Sequence, residues 1–346
     1  MSIQPFPGFR SLVTHHCVTG SMLHLFDFHG CPVTEDMLLG LGAGVGFVYW
    51  HQKGADPFMG GRANVGRADE EGLEKTASRR LGVTQTSYFT SSVPKAEKAL
   101  LDLLEAGQPA MLQVDMGYLP YFDFGQEYHF GYHVIVVAGF DPETRQVLVA
   151  DRDQELHTVS WDDLRKARAS AWKPFPPRNR LYRYDFSGFH PPKPAEVILS
   201  LREAAIPMLE PPITNIGIKG IRKAAARVVK WPESMGIEEL RRACFNCFIF
   251  IDATGGTGGG LFRYMYGRYL IEAAGITGRN ELVALGEEFR QIGDRWQEVA
   301  GIFKRASERD DPAAQLAKIK EPLLAIADLE QTAWNRLRDV ARSAGS

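Results

Sequence analysis

The chain predicts two architectures in series: an α+β half organised on an antiparallel sheet, then a half that is helical throughout. Strand-like runs rich in β-branched and aromatic residues extend as far as Tyr184, whereas beyond Pro194 nearly every apolar residue recurs at helical spacing. Between them, Ser187-Gly188-Phe189-His190-Pro191-Pro192-Lys193-Pro194 is punctuated as a linker. The expected domains are therefore 1–187 and 195–346, a division that suits 346 residues with 45% hydrophobic content.

Cys17 opens the first element. Val18, Met22, Leu25 and Phe26 follow it at helical spacing and Gly30 stands where a helix would stop, so the thiol falls in or just before a first turn. Free backbone N–H groups and the positive end of the helix dipole favour thiolate over thiol at such a position. Thr34 is an N-cap candidate for a short helix to Leu39, and the glycines of 40–46 lead into Phe47-Val48-Tyr49-Trp50. No Lys-Ser/Thr follows those glycines, which argues against a phosphate loop. Gly60-Gly61-Arg62 reads as a turn, 70–80 as a helix stopped at Gly82, and 83–89 as a strand. Ser92 and Pro94 start a helix that presents Leu100, Leu101 and Leu104 and ends at Gly107.

Strands then dominate. After 110–115 comes a segment dense in rings: Tyr118, Tyr121, Phe122, Phe124, Tyr128, Phe130 and Tyr132. The run 133–140 is almost wholly apolar and β-branched, which predicts a strand buried on both faces. Asp141-Pro142-Glu143-Thr144 is a turn, and 146–151 its returning partner. A histidine thus heads one strand and an aspartate ends the next, positions that are neighbours in an antiparallel pair. A strand at 156–159, a helix capped by Ser160 and a strand at 181–184 complete this half. Helices are expected at 195–209, 216–229, 237–250 and 261–274, with two long ones after Arg279.

Composition narrows the function classes. A net charge of -2, with no basic stripe interleaved with aromatics, argues against nucleic acid. No apolar run is of membrane-spanning length and no secretory leader is recognisable, so no membrane association is expected. Four cysteines in so long a chain do not form a disulfide framework, and a reducing cytoplasm is the default compartment.

A cysteine at a helix start, a histidine at a strand start and an acid at the end of the following strand appear in the order of papain-like thiol enzymes. The thiolate attacks a carbonyl carbon, the imidazole shuttles the proton, and the third group fixes the ring's tautomer. The candidates are Cys17, His133 and Asp151. The blocks that hold them, His16-Cys17-Val18-Thr19, 30–42, Gly60-Gly61-Arg62, Leu119-Pro120-Tyr121, 129–141 and Val149-Ala150-Asp151, resemble the N-terminal domain of butirosin biosynthesis protein H, a cysteine acyltransferase family with a C39-peptidase-like fold. Through 256–263 and 269–274 the helical half resembles the DUF4872 domain that accompanies it.

The resemblance implies acyl transfer from a carrier-protein thioester to an amine, in the founding case an aminoglycoside's. Cys17 would take the acyl group, His133 would serve as base and then acid, and Asp151 would orient the ring. No cofactor is implied beyond a phosphopantetheine arm on the donor, and the expected partners are an acyl carrier protein or acyl-thioester donor and a small-molecule amine. A thioester's thiol departs easily, so the choice between transfer and hydrolysis falls to the second step. The residues leave two other readings open: a cysteine peptidase or amidase, and a binding protein that keeps the fold without the chemistry.

The glutamine that many papain-like enzymes place shortly before the cysteine is missing from 10–16. The Cys17 N–H, with Thr14, His15 or His16, is left as the candidate oxyanion donor set. Tyr118, Tyr121 and Tyr132 are candidate cleft walls, Asp115 and Asp123 candidates to attract an amine, and Arg62 and Arg263 candidates to hold an anionic donor. The glycine run 255–260 is read as an inter-helix connection in preference to a phosphate site, and Cys244 and Cys247 as one face of a buried helix. His15 and His16 lack carboxylates at ligand spacing, so no metal is expected. The apolar faces of the helical half offer a homodimer interface.

Overall fold

The computed structural model describes residues 3–52, 55–66, 71–123 and 128–342. In chain order the elements begin with α1 (Cys17–Phe28), α2 (Glu35–Leu41), β1 (Val45–Trp50), β2 (Phe58–Arg62), α3 (Leu73–Arg80), β3 (Thr84–Tyr88) and α4 (Val93–Leu104). They continue with β4 (Ala110–Val114), β5 (His133–Asp141), β6 (Gln146–Ala150), β7 (Leu156–Ser160), α5 (Trp161–Ala169) and β8 (Leu181–Asp185). The remainder is α6 (Pro194–Leu209), α7 (Gly217–Val228), α8 (Ile237–Ile251), α9 (Arg263–Thr277), α10 (Glu281–Glu308), α11 (Pro312–Leu316) and α12 (Lys320–Arg342). The chain is thus mixed helix and sheet, sheet-rich first and helical afterwards. No helix among the described residues is long and apolar enough to cross a membrane.

Contacts group the chain into two compact units, Met1–Leu38 with Gly66–Pro191 and Leu39–Val65 with Pro192–Ser346. In the first, six strands form one antiparallel sheet in the order β3-β8-β4-β5-β6-β7. Leu112, Val114, Ile135, Val137, Val147 and Val149 from its central strands make one core with Leu100 and Leu104 of α4 and Trp161 and Leu164 of α5. Each such side chain contributes about 1.5–3 kcal/mol on burial. Helix α1 also packs on β5, so the interior of β5 is apolar and covered, as its composition predicts. A histidine at the head of that strand is tolerated only with its ring nitrogens partnered.

Local signals set the ends of these elements. Thr34 Oγ1 accepts the Met37 N–H at 3.0 Å at the start of α2, and Ser160 caps α5 by accepting the Asp163 N–H. Gly30, Gly82 and Gly107, with φ of 66°, 74° and 68°, turn the chain after α1, α3 and α4. The linker's first half is tied down within this unit, since the His190 N–H donates to Leu81 O at 2.9 Å.

The second unit contains a hairpin as well as helices. β1 and β2 pair antiparallel, Val48 bridges to Ile216, and the Asn215 side-chain amide donates to Tyr49 O at 2.8 Å. Gly60-Gly61-Arg62 is therefore strand and not turn, because the glycines serve close approach: a Cβ on Gly61 would lie 2.6 Å from Leu261 Cγ. The helix expected from Leu261 begins instead at Arg263, since Leu261 and Phe262 adopt φ of 53° and 69°. In the glycine run, Gly259 N–H donates to Thr257 Oγ1 and Gly260 N–H to Gln297 Oε1, so these donors are spent on the fold.

The centre of this unit is Glu330, which is fully buried. Arg263 donates to it from Nε and Nη2, both at 2.9 Å, and Trp296 and Trp334 donate through their indole nitrogens. Cys244 and Cys247 lie on the buried face of α8 as expected, and burial pushes the Cys244 thiol up to about 12.

Candidate active site

Cys17 is the first residue of α1 and half-buried. The chain enters extended at His16 and turns helical at the cysteine, which leaves the Cys17 and Val18 N–H groups without an intrahelical acceptor. Among the described residues neither forms a hydrogen bond. The residues before the cysteine are held by Glu35, whose Oε2 accepts the His15 N–H and Oε1 the His16 N–H, each at 2.8 Å, while Thr19 Oγ1 donates to Oε1 at 2.9 Å. This carboxylate is buried, and burial raises its pKa although all three donors and His15 oppose the shift.

The hairpin of β5 and β6 supplies the other two groups. Val136 pairs with Ala150, so His133 at the head of β5 and Asp151 just past the end of β6 come together. His133 Nε2 meets Asp151 Oδ2 at 2.7 Å, with both side chains 4% exposed. The Cys17 thiol lies near enough to the His133 ring for each to shift the other's titration. Phe122 sits edge-on to the imidazole at a centroid distance of 5.6 Å, and a cavity of about 330 Å³ beside Asp151 is lined by Val13, Tyr121, Phe122, Arg152 and His157 among others.

Electrostatics favour the ionised pair. Burial would raise the Cys17 pKa, but the His133 hydrogen bond and charge, the Arg152 charge and the Val134 N–H together bring it below the usual thiol value. Burial likewise works against a charged His133; the Asp151 charge and hydrogen bond, with Cys17, outweigh it and lift the imidazole to about 9. Asp151, which burial would push up, is held below the ordinary carboxylate range by His133, Arg152 and the Tyr121 hydroxyl. Both shifts act in the same direction, toward thiolate beside imidazolium.

The remaining sequence candidates fall elsewhere. Thr14 is buried against Gly20 and tied by its N–H to Arg152 O; His15 is exposed, and the His16 ring caps α1 by accepting the Thr19 N–H. With the His15 and His16 N–H groups taken by Glu35, the Cys17 and Val18 N–H groups are the backbone donors left at the helix start. Asp115 cannot attract a ligand amine: it is fully buried, and its oxygens take the Gly117 and Phe130 N–H groups, Ser170 Oγ and the His129 ring. Tyr118 packs beside His129, and the half-buried Tyr132 lies near Phe175. Asp123 is exposed, and Phe124 lies outside the described residues.

Arg62 and Arg263 belong to the other unit. Arg62 Nε donates to Ala63 O, whereas Arg263, fully buried, spends its charge on Glu330 and its Nη1 on Gly46 O and Leu261 O. It is a core ion pair and not an anion site. No group of three or more His, Cys, Asp or Glu side chains among the described residues is placed to hold a metal ion.

Sequence reasoning missed Glu35 and Arg152 and assigned Tyr121 to a cleft wall. An acid in a helix's first turn reads as ordinary dipole complementarity, so nothing local marks Glu35 as the clasp on a distant loop. Arg152 follows Asp151 directly, and that adjacency was the available signal.

Residues 16–152 match the family model described as butirosin biosynthesis protein H, N-terminal, and residues 162–337 match that of the domain of unknown function DUF4872. No curated protein matches the chain. With more than half of its length matched by the second model and the first matched over the segment that holds Cys17, His133 and Asp151, the chain belongs to the family that joins a butirosin biosynthesis protein H N-terminal domain to a DUF4872 domain.

Proposed function

We propose that this biosynthetic family member is a cysteine-dependent acyltransferase with a papain-like catalytic arrangement. The observation that carries the reading is the buried His133–Asp151 pair beside the half-buried Cys17, with sulfur at a helix start and the ring fixed by an acid. The Cys17 thiolate attacks the carbonyl carbon of an acyl thioester, and the oxyanion that forms faces the Cys17 N–H and the positive end of α1. The carbon–sulfur bond to the donor then breaks, the departing thiolate takes the proton of the His133 imidazolium, and acyl-Cys17 remains. An amine attacks this second thioester. Neutral His133 accepts the amine's proton, and Cys17 leaves as thiolate against the restored imidazolium.

The donor in this reading is bound to a carrier protein through phosphopantetheine, and the acceptor is a small-molecule amine, as in aminoglycoside or other secondary-metabolite biosynthesis. Phe122 packed on the His133 ring supports exclusion of water from the second step. Incubation with a panel of acyl N-acetylcysteamine thioesters, followed by intact-mass measurement, tests the first half. A mass increase equal to the acyl group, absent in Cys17→Ala, is expected. Loss of that adduct on adding an amine, with amide formed, tests the second. Release of free acid alone would reassign the protein as a hydrolase, and no adduct from any thioester would leave it a binding protein.

A further inference from the structure

Tyr121 stands outside the three residues of the proposed chemistry, yet its hydroxyl reaches into them. We propose that Tyr121 is a positioning residue of this site: its O–H, donated to Asp151 Oδ2 at 2.9 Å, fixes the carboxylate that in turn fixes the His133 ring. The inference deepens the reading of Cys17 as a reactive thiolate and rests on it.

Asp151 uses one oxygen for both contacts. Oδ2 accepts from His133 Nε2 at 2.7 Å and from Tyr121, whereas the buried Oδ1 has no hydrogen-bond partner among the described residues. A carboxylate held by a single donor can turn about its Cβ–Cγ bond; a second donor on the same oxygen, arriving from another segment, fixes its plane. The tyrosine is itself held in place. Its ring stacks on His157 at 4.0 Å and 16°, and His157 Nε2 lies 3.0 Å from both oxygens of Asp153. Burial and the Asp151 charge raise the Tyr121 pKa well above its usual value, so the phenol keeps the proton that it donates.

The consequence for His133 has a definite sign. A donor on Oδ2 draws negative charge away from Nε2, which lessens the hold of Asp151 on the imidazolium. Without that donor, Asp151 is a stronger base toward His133 and the ring keeps its proton to higher pH. The other charged or titratable groups on the elements around this pair are Cys17, His24, Arg152, Asp153 and His157, and Tyr121→Phe replaces none of them.

Alkylation of Cys17 by iodoacetamide, followed by intact mass across the pH range around 9 where His133 titrates, reads this directly and needs no acyl donor. The wild-type rate steps up where the imidazolium is lost and sulfur becomes the freer nucleophile. In Tyr121→Phe, which keeps the stacked ring, the step moves to higher pH by about half a unit, a threefold change in the protonation equilibrium. His157→Leu keeps the hydroxyl but removes its brace, and gives a smaller shift of the same sign; it carries the test if Tyr121→Phe does not fold. A folded variant with altered melting and an unmoved step would reduce Tyr121 to a packing residue. A wild-type Cys17 no more reactive at neutral pH than a free thiol would remove the thiolate reading and this one together.

Discussion

His133 Nε2 lies 2.7 Å from Asp151 Oδ2 because the β5–β6 hairpin returns the chain in register, carrying the residue after the second strand back to the head of the first. The pair is separated by 18 positions and joined by a turn that Asp141 holds through the Glu143 N–H and the Thr144 hydroxyl. Asp151 and His133 are thus a local unit, and only the sulfur arrives from elsewhere, on α1. Substitutions in the hairpin and in α1 should therefore affect different parts of the chemistry.

Cys17→Ser should abolish acyl loading, because a hydroxyl beside the same imidazolium stays protonated. The expected loss is at least about a thousandfold, the scale on which removal of one member of a nucleophile–base pair acts. Rapid-quench measurement of thioester consumption checks it, with an unchanged melting temperature as the control for folding.

The pH profile should be a plateau that fails on both sides. Cys17 titrates below its ordinary value, so the thiolate is lost as pH falls through that lowered pKa; His133 titrates at about 9, so the imidazolium that protonates the leaving thiol disappears as pH rises through that value. A rate of acyl loading that falls between pH 6 and 8, around the unperturbed histidine value of 6.5, would contradict the raised pKa.

Asp151→Asn removes the charge that lifts His133 and leaves a group that either donates to Nε2 or accepts from it. The imidazole pKa should fall, the Cys17 pKa should rise with it, and kcat should drop by about 10⁴, the scale of the corresponding change in a serine triad. Loss of neutral-pH iodoacetamide reactivity checks the coupling without a substrate.

Glu35→Ala should act on both stability and chemistry. The His15 and His16 N–H groups lose their acceptor, at a cost of about 1–3 kcal/mol for each left buried and unpaired. Denaturant unfolding measures the first effect, and slower alkylation of Cys17 in protein that remains folded measures the second.

Glu330→Ala should be the most destabilising of these changes while leaving every atom of the cysteine site in place. It strands the buried Arg263 guanidinium and two indole N–H groups, and breaking a buried pair in this way costs about 3–5 kcal/mol. Equilibrium unfolding, with Glu330→Gln as the milder comparison, checks it.

Much of this protein is legible in its residues because the relevant signals are local. Helix α1 follows from apolar spacing between Cys17 and Phe26, β5 from an unbroken β-branched run, and the proximity of His133 and Asp151 from a hairpin whose turn residues are explicit. What was misread depended on distant partners. Gly60 and Gly61 look like a turn until Leu261 packs against them, and Arg263 and Asp115 look like ligand groups until Glu330 and Ser170 consume their charge and lone pairs.

The sequence by itself determined most of the helices and the strands of the main sheet, and which residue types could do thiol chemistry, since periodicity, caps and turns act within a few positions along the chain. Only the tertiary structure decided which charged groups are free to work. Burial makes an unpaired polar atom costly, so side chains remote in sequence are drawn together to satisfy one another. Glu35 on the loop before Cys17 and Tyr121 on Asp151 are contacts of that kind, set by how the chain packs and invisible in its order.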